Sequence, residues 1–520
     1  MDNTDVVNAQ EKIPAIELRG ITKRFGTIVA NKDVCLTVNK GEILAILGEN
    51  GSGKTTLMNM ISGIYFPDEG HIFIDGKEVT IASPKDAFRY KIGMIHQHFK
   101  LVDVFSAAEN IILGLEGQGK YDIKKATQDI QATCDKFGFV IDLNKKVHEM
   151  SVSEKQTVEI VKVLYRGADI LILDEPTAVL TPQEIRKLFA VLKNMKEHGK
   201  SIVIITHKLN EVLEVSDSVS VLRKGEYIGT VRTAEADADS LTQMMVGKKV
   251  ELNIDRSEPV NSTDRLIVEG LNCRNRDGQY VISDVSFTAM SGEILGIAGI
   301  SGSGQRELLE AIAGLQKLDS GSIEYVNPET GKKEDLRNKT PMQIRNLGVR
   351  LSFVPEDRLG MGLVGNMDII DNVMLRSYKK GRSAFLQRKE PKDLAERIIR
   401  ELEVVTPGAT TPVRRLSGGN VQKVLVGREI ASSPTVLMVA YPVRGLDINS
   451  SYTIYNLLNE QKEKGASVIF VGEDLDVLIE LCDRILVISS GKISGIVDAR
   501  NTTKEEIGLL MTKTGGENNG

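Results

Sequence analysis

The chain has 520 residues, 41% hydrophobic and 26% charged, with a net charge of −5 at pH 7. This length predicts two or more globular domains, and the mildly acidic balance argues against nucleic acid as the main partner. No apolar run approaches the ~18 residues of a membrane-spanning helix, and the acidic, polar N-terminus does not resemble a secretory signal.

The first strong motif along the chain is a glycine-rich segment at residues 48–56, with the pattern G-x-x-x-x-G-K-T of a P-loop. We predict a buried strand over Ile43–Leu47 before it and a helix over residues 54–62 after it. In such a loop the backbone amides wrap phosphate groups, Lys54 reaches the β- and γ-phosphates, and the Thr55 hydroxyl holds Mg²⁺. The alternative is a glycine turn before an ordinary helix. The predicted nucleotide-binding residues here are Gly48, Asn50, Gly51, Ser52, Gly53, Lys54, Thr55 and Thr56.

Further along, polar residues follow three apolar segments that predict strands. Gln97 follows the first segment, and its amide is predicted to contact both Mg²⁺ and the attacking water. Asp174 and Glu175 end the second segment as a Walker B motif, in which Asp174 holds Mg²⁺ and Glu175 is the general base. His207 follows the third segment, where an imidazole can hydrogen-bond the γ-phosphate. Taken alone, Gln97 is more simply a surface amide and His207 an incidental histidine.

The chain also contains a long internal repeat. The residues at 41–44 recur at 292–295, an offset of 251, whereas Ser151 recurs as Ser417, an offset of 266. This predicts a tandem duplication with domains at residues 14–250 and 264–512. The 15 extra residues (266 − 251) of the second copy are predicted in its polar segment 327–340. Within each copy, strand-like and helical patterns alternate as in an α/β fold with a mostly parallel sheet, and residues 99–149 predict an inserted helical subdomain.

The second copy does not keep the polar side chains of the first. Gln305 and Arg306 stand where the P-loop of the first copy has lysine and threonine. Ala440 and Tyr441 replace the strand-end aspartate and glutamate, and Glu473 replaces the histidine. We therefore predict a phosphate cradle without its charge clamp or its general base.

The second copy contains one further motif. Residues 416–423 read LSGGNVQK, which resembles the signature segment of ABC-type ATPases, and this resemblance implies that Ser417, Gly418 and Gly419 bind nucleotide. The corresponding segment of the first copy, at 150–154, reads MSVSE and has no glycine. Each copy is thus damaged in a different motif.

In this order the segments resemble an ABC-type ATPase: aromatic loop, Walker A, Q-loop, signature, Walker B, D-loop and H-loop. The resemblance extends from about residue 16 to residue 512 and is most specific at the second signature. It implies two tandem P-loop ABC domains, each with a mostly parallel core sheet, a helical subdomain and an antiparallel β subdomain. It also implies that Phe25 stacks on adenine, although a lone aromatic residue is more often part of a core.

In ABC proteins, ATP lies between the P-loop of one domain and the signature of the other. Here that pairing joins the intact first P-loop to the intact second signature, and the altered second P-loop to the altered first signature. The resemblance therefore implies one competent ATP site and one degenerate site.

Finer features resemble the ATP-binding subunits of importers for simple sugars and nucleosides. The degenerate second P-loop, the sequence PEDR at 355–358 and the sequence VAYPVRGLD at 439–447 carry this likeness, although Tyr441 and Val443 depart from the usual Gln and Thr. Segments 96–99 and 176–182 favour the nucleoside branch. The likeness implies ATP and Mg²⁺ as cofactors, two transmembrane permease partners, an extracytoplasmic solute-binding lipoprotein acting indirectly, and a peripheral position on the cytoplasmic face of the cell membrane.

Three other classes of protein share part of this pattern. A ribose- or galactose-type importer has the same architecture, because other subunits recognise the solute. A soluble tandem ABC protein acting on ribosomes or nucleic acid usually keeps both P-loops and both glutamates. A simple P-loop kinase or GTPase explains neither the duplication nor the signature.

Overall fold

The computed structural model describes residues 13–96, 99–115, 122–178, 180–247, 254, 256–259, 262–275, 278–300, 302–337, 339–346, 351–355, 357–378, 386–444 and 446–512. The chain divides into two units, Met1–Glu251 and Leu252–Gly520. Within the described residues, no helix combines the length and the apolar character that crossing a membrane requires.

The first unit has a four-stranded antiparallel sheet and a six-stranded sheet. Its strands are β1 (Ile16–Phe25), β2 (Ile28–Val38), β3 (Ile43–Leu47), β4 (Glu69–Ile74), β5 (Lys77–Val79), β6 (Ile92–Ile95), β7 (Ile170–Asp174), β8 (Ser201–Thr206), β9 (Ser218–Arg223) and β10 (Glu226–Arg232). Its helices are α1 (Lys54–Ile61), α2 (Pro84–Arg89), α3 (Ala107–Ile112), α4 (Ile123–Phe137), α5 (Val152–Tyr165), α6 (Pro182–Glu197), α7 (Leu209–Val215) and α8 (Ala238–Val246). The sheet orders are β2-β1-β4-β5 and β10-β9-β3-β8-β7-β6, and the larger sheet is parallel except for β10.

The central strands of the larger sheet are apolar throughout because both faces of the sheet are covered. Successive side chains point to opposite faces. Ile43 and Leu171 pack in one core with helices α3 to α6. Leu44 and Ile172 pack in a second core with α1 and the antiparallel sheet. The continuous hydrophobic runs in the sequence are thus two alternating sets, one for each core.

The second unit repeats this plan. Its strands are β11 (Asp264–Arg274), β12 (Tyr280–Met290), β13 (Glu293–Ala298), β14 (Ser320–Val326), β15 (Lys333–Asp335), β16 (Leu351–Val354), β17 (Val436–Ala440), β18 (Ser467–Val471), β19 (Arg484–Ser489) and β20 (Lys492–Asp498). Its helices are α9 (Gln305–Ile312), α10 (Pro341–Asn346), α11 (Ile369–Met374), α12 (Lys389–Glu401), α13 (Gly418–Ile430), α14 (Ile448–Glu463), α15 (Leu475–Leu481) and α16 (Lys504–Thr512). The orders β12-β11-β14-β15 and β16-β17-β18-β13-β19-β20 match the first unit strand for strand, which confirms the predicted α/β class with a parallel core sheet, helical segment and antiparallel sheet in each copy.

The extra residues of the second copy are spread over several loops. The offset between equivalent elements is 257 at α2 and α10 (341 − 84), 262 at α3 and α11 (369 − 107), and 266 at the short 3₁₀ turns Val147–Glu149 and Val413–Arg415. The segment 327–340 therefore holds only 6 of the 15 additional residues (257 − 251), and the prediction that it holds all of them is wrong. The remainder lies in the connections between α10 and the 3₁₀ turn Val413–Arg415, because the offset rises from 257 to 266 between them.

Candidate functional site

The P-loop of the first unit lies at the carboxyl edge of the parallel sheet. Strand β3 ends at Leu47, α1 begins at Lys54, and the loop runs between them. Leu47 pairs with Thr206 of β8, and Asp174 of β7 pairs with Ile205. Because parallel strands end at one edge, the residues that follow β7 and β8 arrive beside the P-loop.

Two glycines of this loop are required by close backbone packing. Gly53 has φ 95°, and a Cβ there would lie 2.5 Å from the carbonyl oxygen of Ala30 on β2. A Cβ at Gly48 would lie 2.3 Å from the carbonyl oxygen of Leu222 on β9. Any larger residue would push the loop off these strands. The loop is thus wedged between the two sheets of the unit.

Lys54 is buried beneath the loop. Its Nζ donates to the carbonyl oxygens of Gly48 at 2.6 Å and Glu49 at 3.0 Å. Burial lowers the pKa of Lys54, and the carboxylates of Glu175 and Asp174 oppose that shift. The ammonium therefore interacts with two acidic groups at the end of β7, and a buried cation at this position can clamp phosphates.

Thr55 and Asp174 place two oxygen atoms side by side. The Thr55 Oγ1 atom donates to Asp174 Oδ1 at 3.4 Å. Asp174 is buried, which raises the pKa of its carboxyl, and the adjacent Glu175 raises it further. A hydroxyl beside a carboxylate is a set of hard oxygen donors of the kind that Mg²⁺ prefers. The residues thus fit the predicted metal role.

Glu175 and His207 form a second pair at the same edge. Glu175 has the left-handed backbone angle φ 48°, and its N–H donates to Ile205 O at 2.9 Å. The Nδ1 atom of His207 lies 2.9 Å from Glu175 Oε1. This hydrogen bond lowers the pKa of Glu175, against the opposing effect of burial. The glutamate is therefore held ionised, as a general base must be.

A pH prediction follows from this pair. A lowered pKa keeps Glu175 ionised to lower pH, and His207→Ala removes the cause of that lowering but leaves the burial. The pKa of Glu175 should then rise, so that the acid limb of the kcat–pH profile moves to higher pH. The measurement is ATP hydrolysis by the full-length chain across the acid range. The control is His71→Ala, which breaks an exposed pair with Glu78 (2.6 Å) between β4 and β5 of the antiparallel sheet and should leave the limb in place. An unmoved limb in His207→Ala contradicts the assignment.

Four other predicted residues of the first unit are exposed or half-buried. Phe25 ends β1 with its ring half exposed, edge-on to Tyr65 at 5.2 Å between centroids. Asn50 and Gly51 are exposed at the loop tip, and Thr56 is half-buried on α1. Gln97 lies outside the described residues.

The loop also presents a buried polar atom that has no protein partner. Ser52 is 3% exposed, and its Oγ has no hydrogen-bond partner among the described residues. Buried polar groups are normally satisfied. An orphaned hydroxyl inside a glycine-rich loop is what a loop that hydrogen-bonds phosphate oxygens leaves when no ligand is bound.

The second unit keeps the backbone of this site but not its side chains. A Cβ at Gly304 (φ 108°) would lie 2.7 Å from Val281 O, as at Gly53 in the first unit. Gln305 Nε2 donates to Ile300 O at 3.1 Å and carries no charge. The Arg306 Nε atom bonds Glu310 Oε1 at 2.6 Å, along its own helix. The glycines set the loop conformation, so the loop keeps its shape although glutamine replaces the lysine of the first unit.

The second Walker B position shows the same pattern. Tyr441 has φ 49° and donates its N–H to Val471 O at 2.9 Å, the geometry of Glu175. Ala440 is buried and has no carboxylate. Glu473, at the position of His207, lies 3.6 Å from the Nε of Arg444. Among these groups none is an acid placed like Glu175.

The two signature segments start equivalent helices. Ser417 caps α13, with its Oγ accepting from Asn420 Nδ2 at 2.8 Å, and the exposed Gly418 and then Gly419 open the helix. Ser151 caps α5 in a capping box with Glu154, whose carboxylate also binds Lys145 at 2.7 Å. The first signature is thus an intact helix start in which side chains occupy the glycine positions.

Three side chains that were not among the predicted site residues make hydrogen bonds to the motif segments of their own units. Asn31 Nδ2 donates to Gly53 O at 3.3 Å. Gln156 Nε2 donates to Pro176 O at 2.7 Å, which ties α5 to the turn after Glu175. Arg358 Nη1 donates to Gly418 O at 3.0 Å. Gln156 recurs as Gln422 at the 266 offset, a repeat signal that would have identified it.

The fold and this site define a class of protein: a chain with two P-loop ATPase domains in tandem, each built on the same sheet order. Residues 31–178 and 282–442 match the ABC transporter family. The chain therefore belongs to the ABC transporter family and is an ATP-binding, ATP-hydrolysing member of it.

Similar proteins span almost the whole chain. The guanosine import ATP-binding protein NupO of Bacillus subtilis (strain 168) is 43% identical over 97% of this chain and 99% of its own length. The nucleoside import ATP-binding protein NupA of Lactococcus lactis subsp. cremoris (strain MG1363) is 42% identical over 95% and 97%. The ribose import ATP-binding protein RbsA of Corynebacterium glutamicum is 36% identical over 98% and 95%. The prediction of an ATP-binding subunit of the simple-sugar and nucleoside importers is confirmed.

One solved structure is similar over both units. The crystal structure of the complex of archaeal ribosomal stalk protein aP1 and archaeal ribosome recycling factor aABCE1 matches with a TM-score of 0.58 at 16% identity, covering 90% of this chain and 87% of that chain. At this identity the likeness concerns the fold alone.

Proposed function

We propose that this chain is the ATP-hydrolysing subunit that energises import of a nucleoside, in particular a purine nucleoside. The observation that carries the proposal is the near full-length identity of 43% and 42% to ATP-binding proteins of guanosine and nucleoside import, against 36% for the ribose import protein. The site of the first unit, with its buried lysine and paired carboxylates, supports the ATPase part.

ATP is bound by the first domain, residues 14–250. The P-loop amides wrap the phosphates, Lys54 binds the β- and γ-phosphates, and Phe25 stacks on the adenine. Thr55 and Asp174, with Gln97, would hold Mg²⁺, which neutralises charge on the phosphates when bound. The 3.4 Å contact between the threonine hydroxyl and the aspartate carboxylate supports this set.

Hydrolysis depends on Glu175 and His207. Water attacks the γ-phosphorus, Glu175 takes the proton that the water loses, and the bond to the leaving β-phosphate oxygen breaks. His207 orients Glu175 and contacts the γ-phosphate. The 2.9 Å contact between His207 and Glu175, and the lowered pKa of Glu175, support these roles.

The two domains contribute unequally. Ser417, Gly418 and Gly419 of the second domain, residues 264–512, complete the ATP site of the first. The reciprocal site, with Gln305 and Tyr441, is degenerate and does not hydrolyse ATP. The support is that the second unit keeps the P-loop backbone while its clamp and acid are replaced.

The chain works in an assembly. Two transmembrane permease subunits bind it at the cytoplasmic face of the cell membrane, and an extracytoplasmic solute-binding lipoprotein delivers the solute to them. The support is that relatives of full length are named as import ATP-binding proteins.

Two alternatives have less support. A ribose-type sugar importer rests on relatives of 36% identity. A soluble protein acting on ribosomes rests only on the fold shared with the aABCE1 complex at 16% identity.

Uptake of labelled guanosine and labelled ribose, in cells that lack this chain, tests the proposal. Guanosine uptake should be lost and ribose uptake kept. Wild-type chain should restore uptake, whereas Glu175→Gln should not, although it accumulates to the same level. Loss of ribose uptake alone would identify a sugar importer, and unchanged uptake of both solutes would refute the proposal.

A further inference from the structure

Arg358 connects three segments of the second unit. It opens the π-helical turn Arg358–Gly362 that follows β16. Its Nη1 donates to Gly418 O at 3.0 Å, and its Nη2 donates to the carbonyl oxygen of Arg444, in the loop after β17. One guanidinium thus bridges the Q-loop region, the first turn of the signature helix α13 and the loop after the Walker B strand.

Neighbouring contacts hold both the backbone turn that carries Arg358 and the residue whose carbonyl oxygen accepts its hydrogen bond. Asp357, just before it, accepts from Gly360 N at 2.8 Å and caps the π-helical turn. At the other end, Arg444 lies 3.6 Å from Glu473, the residue at the H-loop position. The planar fork of arginine suits a bridge between two carbonyl oxygens, which a single ammonium cannot form in the same way.

The contact also gives a local reason for glycine in the signature. A Cβ at Gly418 would lie 3.1 Å from Nη1 of Arg358, tighter than most Cβ contacts, so the guanidinium would have to shift slightly. In the first unit, Phe99 stands four residues after its strand β6, as Arg358 does after β16, and has no polar side-chain atom. The bridge therefore belongs to the unit whose signature keeps its glycines.

We propose that Arg358 is a positioning residue for ATP hydrolysis: it fixes the start of α13 relative to the loop after β17, so that the second signature is held ready for the ATP bound by the first domain. This inference rests on the proposed function, in which Ser417, Gly418 and Gly419 complete the competent site. Arg358 acts on the signature segment through its hydrogen bond to the carbonyl oxygen of Gly418, and it does not itself contact ATP.

The test compares Arg358→Ala and Arg358→Lys in the full-length chain. Arg358→Ala should lower kcat for ATP about 10-fold, because small displacements of catalytic groups have effects of this size. The Kd for ATP and the melting temperature should stay at their wild-type values, because the first domain holds the nucleotide. The kcat of Arg358→Lys should lie between those of wild type and Arg358→Ala, since lysine can keep one of the two hydrogen bonds.

Arg397→Ala is the matched control. It removes an exposed arginine of α12 in the same unit, which pairs along its own helix with Glu401, and should keep full kcat. In a double-mutant cycle, the losses from Arg358→Ala and Ser417→Ala should combine to less than their product, because both act on the same segment.

Ser417→Arg separates the two ways in which the inference can fail. Full turnover in Ser417→Arg overturns the composite ATP site of the proposed function, on which the inference rests. If Ser417→Arg is inactive while Arg358→Ala keeps full kcat, the role of Arg358 is overturned and the proposed function stands. If Arg358→Ala loses melting temperature and ATP affinity along with kcat, its role is structural and the inference is also overturned.

Discussion

Glu175→Gln should lower ATP turnover about 100-fold or more, since the chain loses the residue that we propose as its general base. Glutamine has nearly the same shape and can keep a hydrogen bond to His207, but it cannot take a proton from water. ATP binding should persist, because the P-loop and Lys54 are unchanged. The measurements are steady-state hydrolysis and equilibrium binding of ATP to the full-length chain.

Two further variants serve as comparisons for Glu175→Gln. Lys54→Ala should lose ATP binding as well as turnover, because it removes the buried cation that faces the phosphates. Tyr441→Phe should keep most turnover, since a phenol is a poor general base at neutral pH. Substantial turnover in Glu175→Gln would show that the second site also hydrolyses ATP.

Ser417→Arg should lower turnover about 100-fold, a loss comparable to removing one stabilising group from a transition state. The bulky cation would occupy the γ-phosphate face that the signature presents to the ATP of the first domain. The variant lies in the second domain, so its effect reports on whether the competent site draws on both domains.

Ser151→Arg is the matched control for this variant. Both serines cap the first turn of equivalent helices, α5 and α13, and both are exposed. Each substitution therefore loses a cap of about 1 kcal/mol, which cancels in the comparison. Ser151→Arg should keep most turnover, because in the proposed arrangement this serine belongs to the degenerate ATP site. Equal losses from the two variants would contradict the asymmetric arrangement.

Some predictions from the sequence concern parts that the structure rearranges or does not describe. The helix predicted over residues 54–62 spans Lys54–Ile61, with Ser62 as its cap. The extra residues of the second copy are distributed over several loops. Loop lengths vary at low cost, so their sequence pattern says little about where an insertion lies. Gln97, outside the described residues, stays a prediction.

The sequence by itself determined the duplicated α/β fold and the residue types of the competent site. Hydrophobic runs of strand length, a P-loop and an acidic strand end are local patterns, each set by the chemistry of adjacent residues. The left-handed backbone at Glu175 and the wedging of Gly53 against Ala30 needed the structure, because they depend on strands distant in the chain. Only the tertiary structure decided that Arg358 bridges Gly418 and Arg444, since a long side chain finds its acceptors in space and leaves no spacing in the sequence.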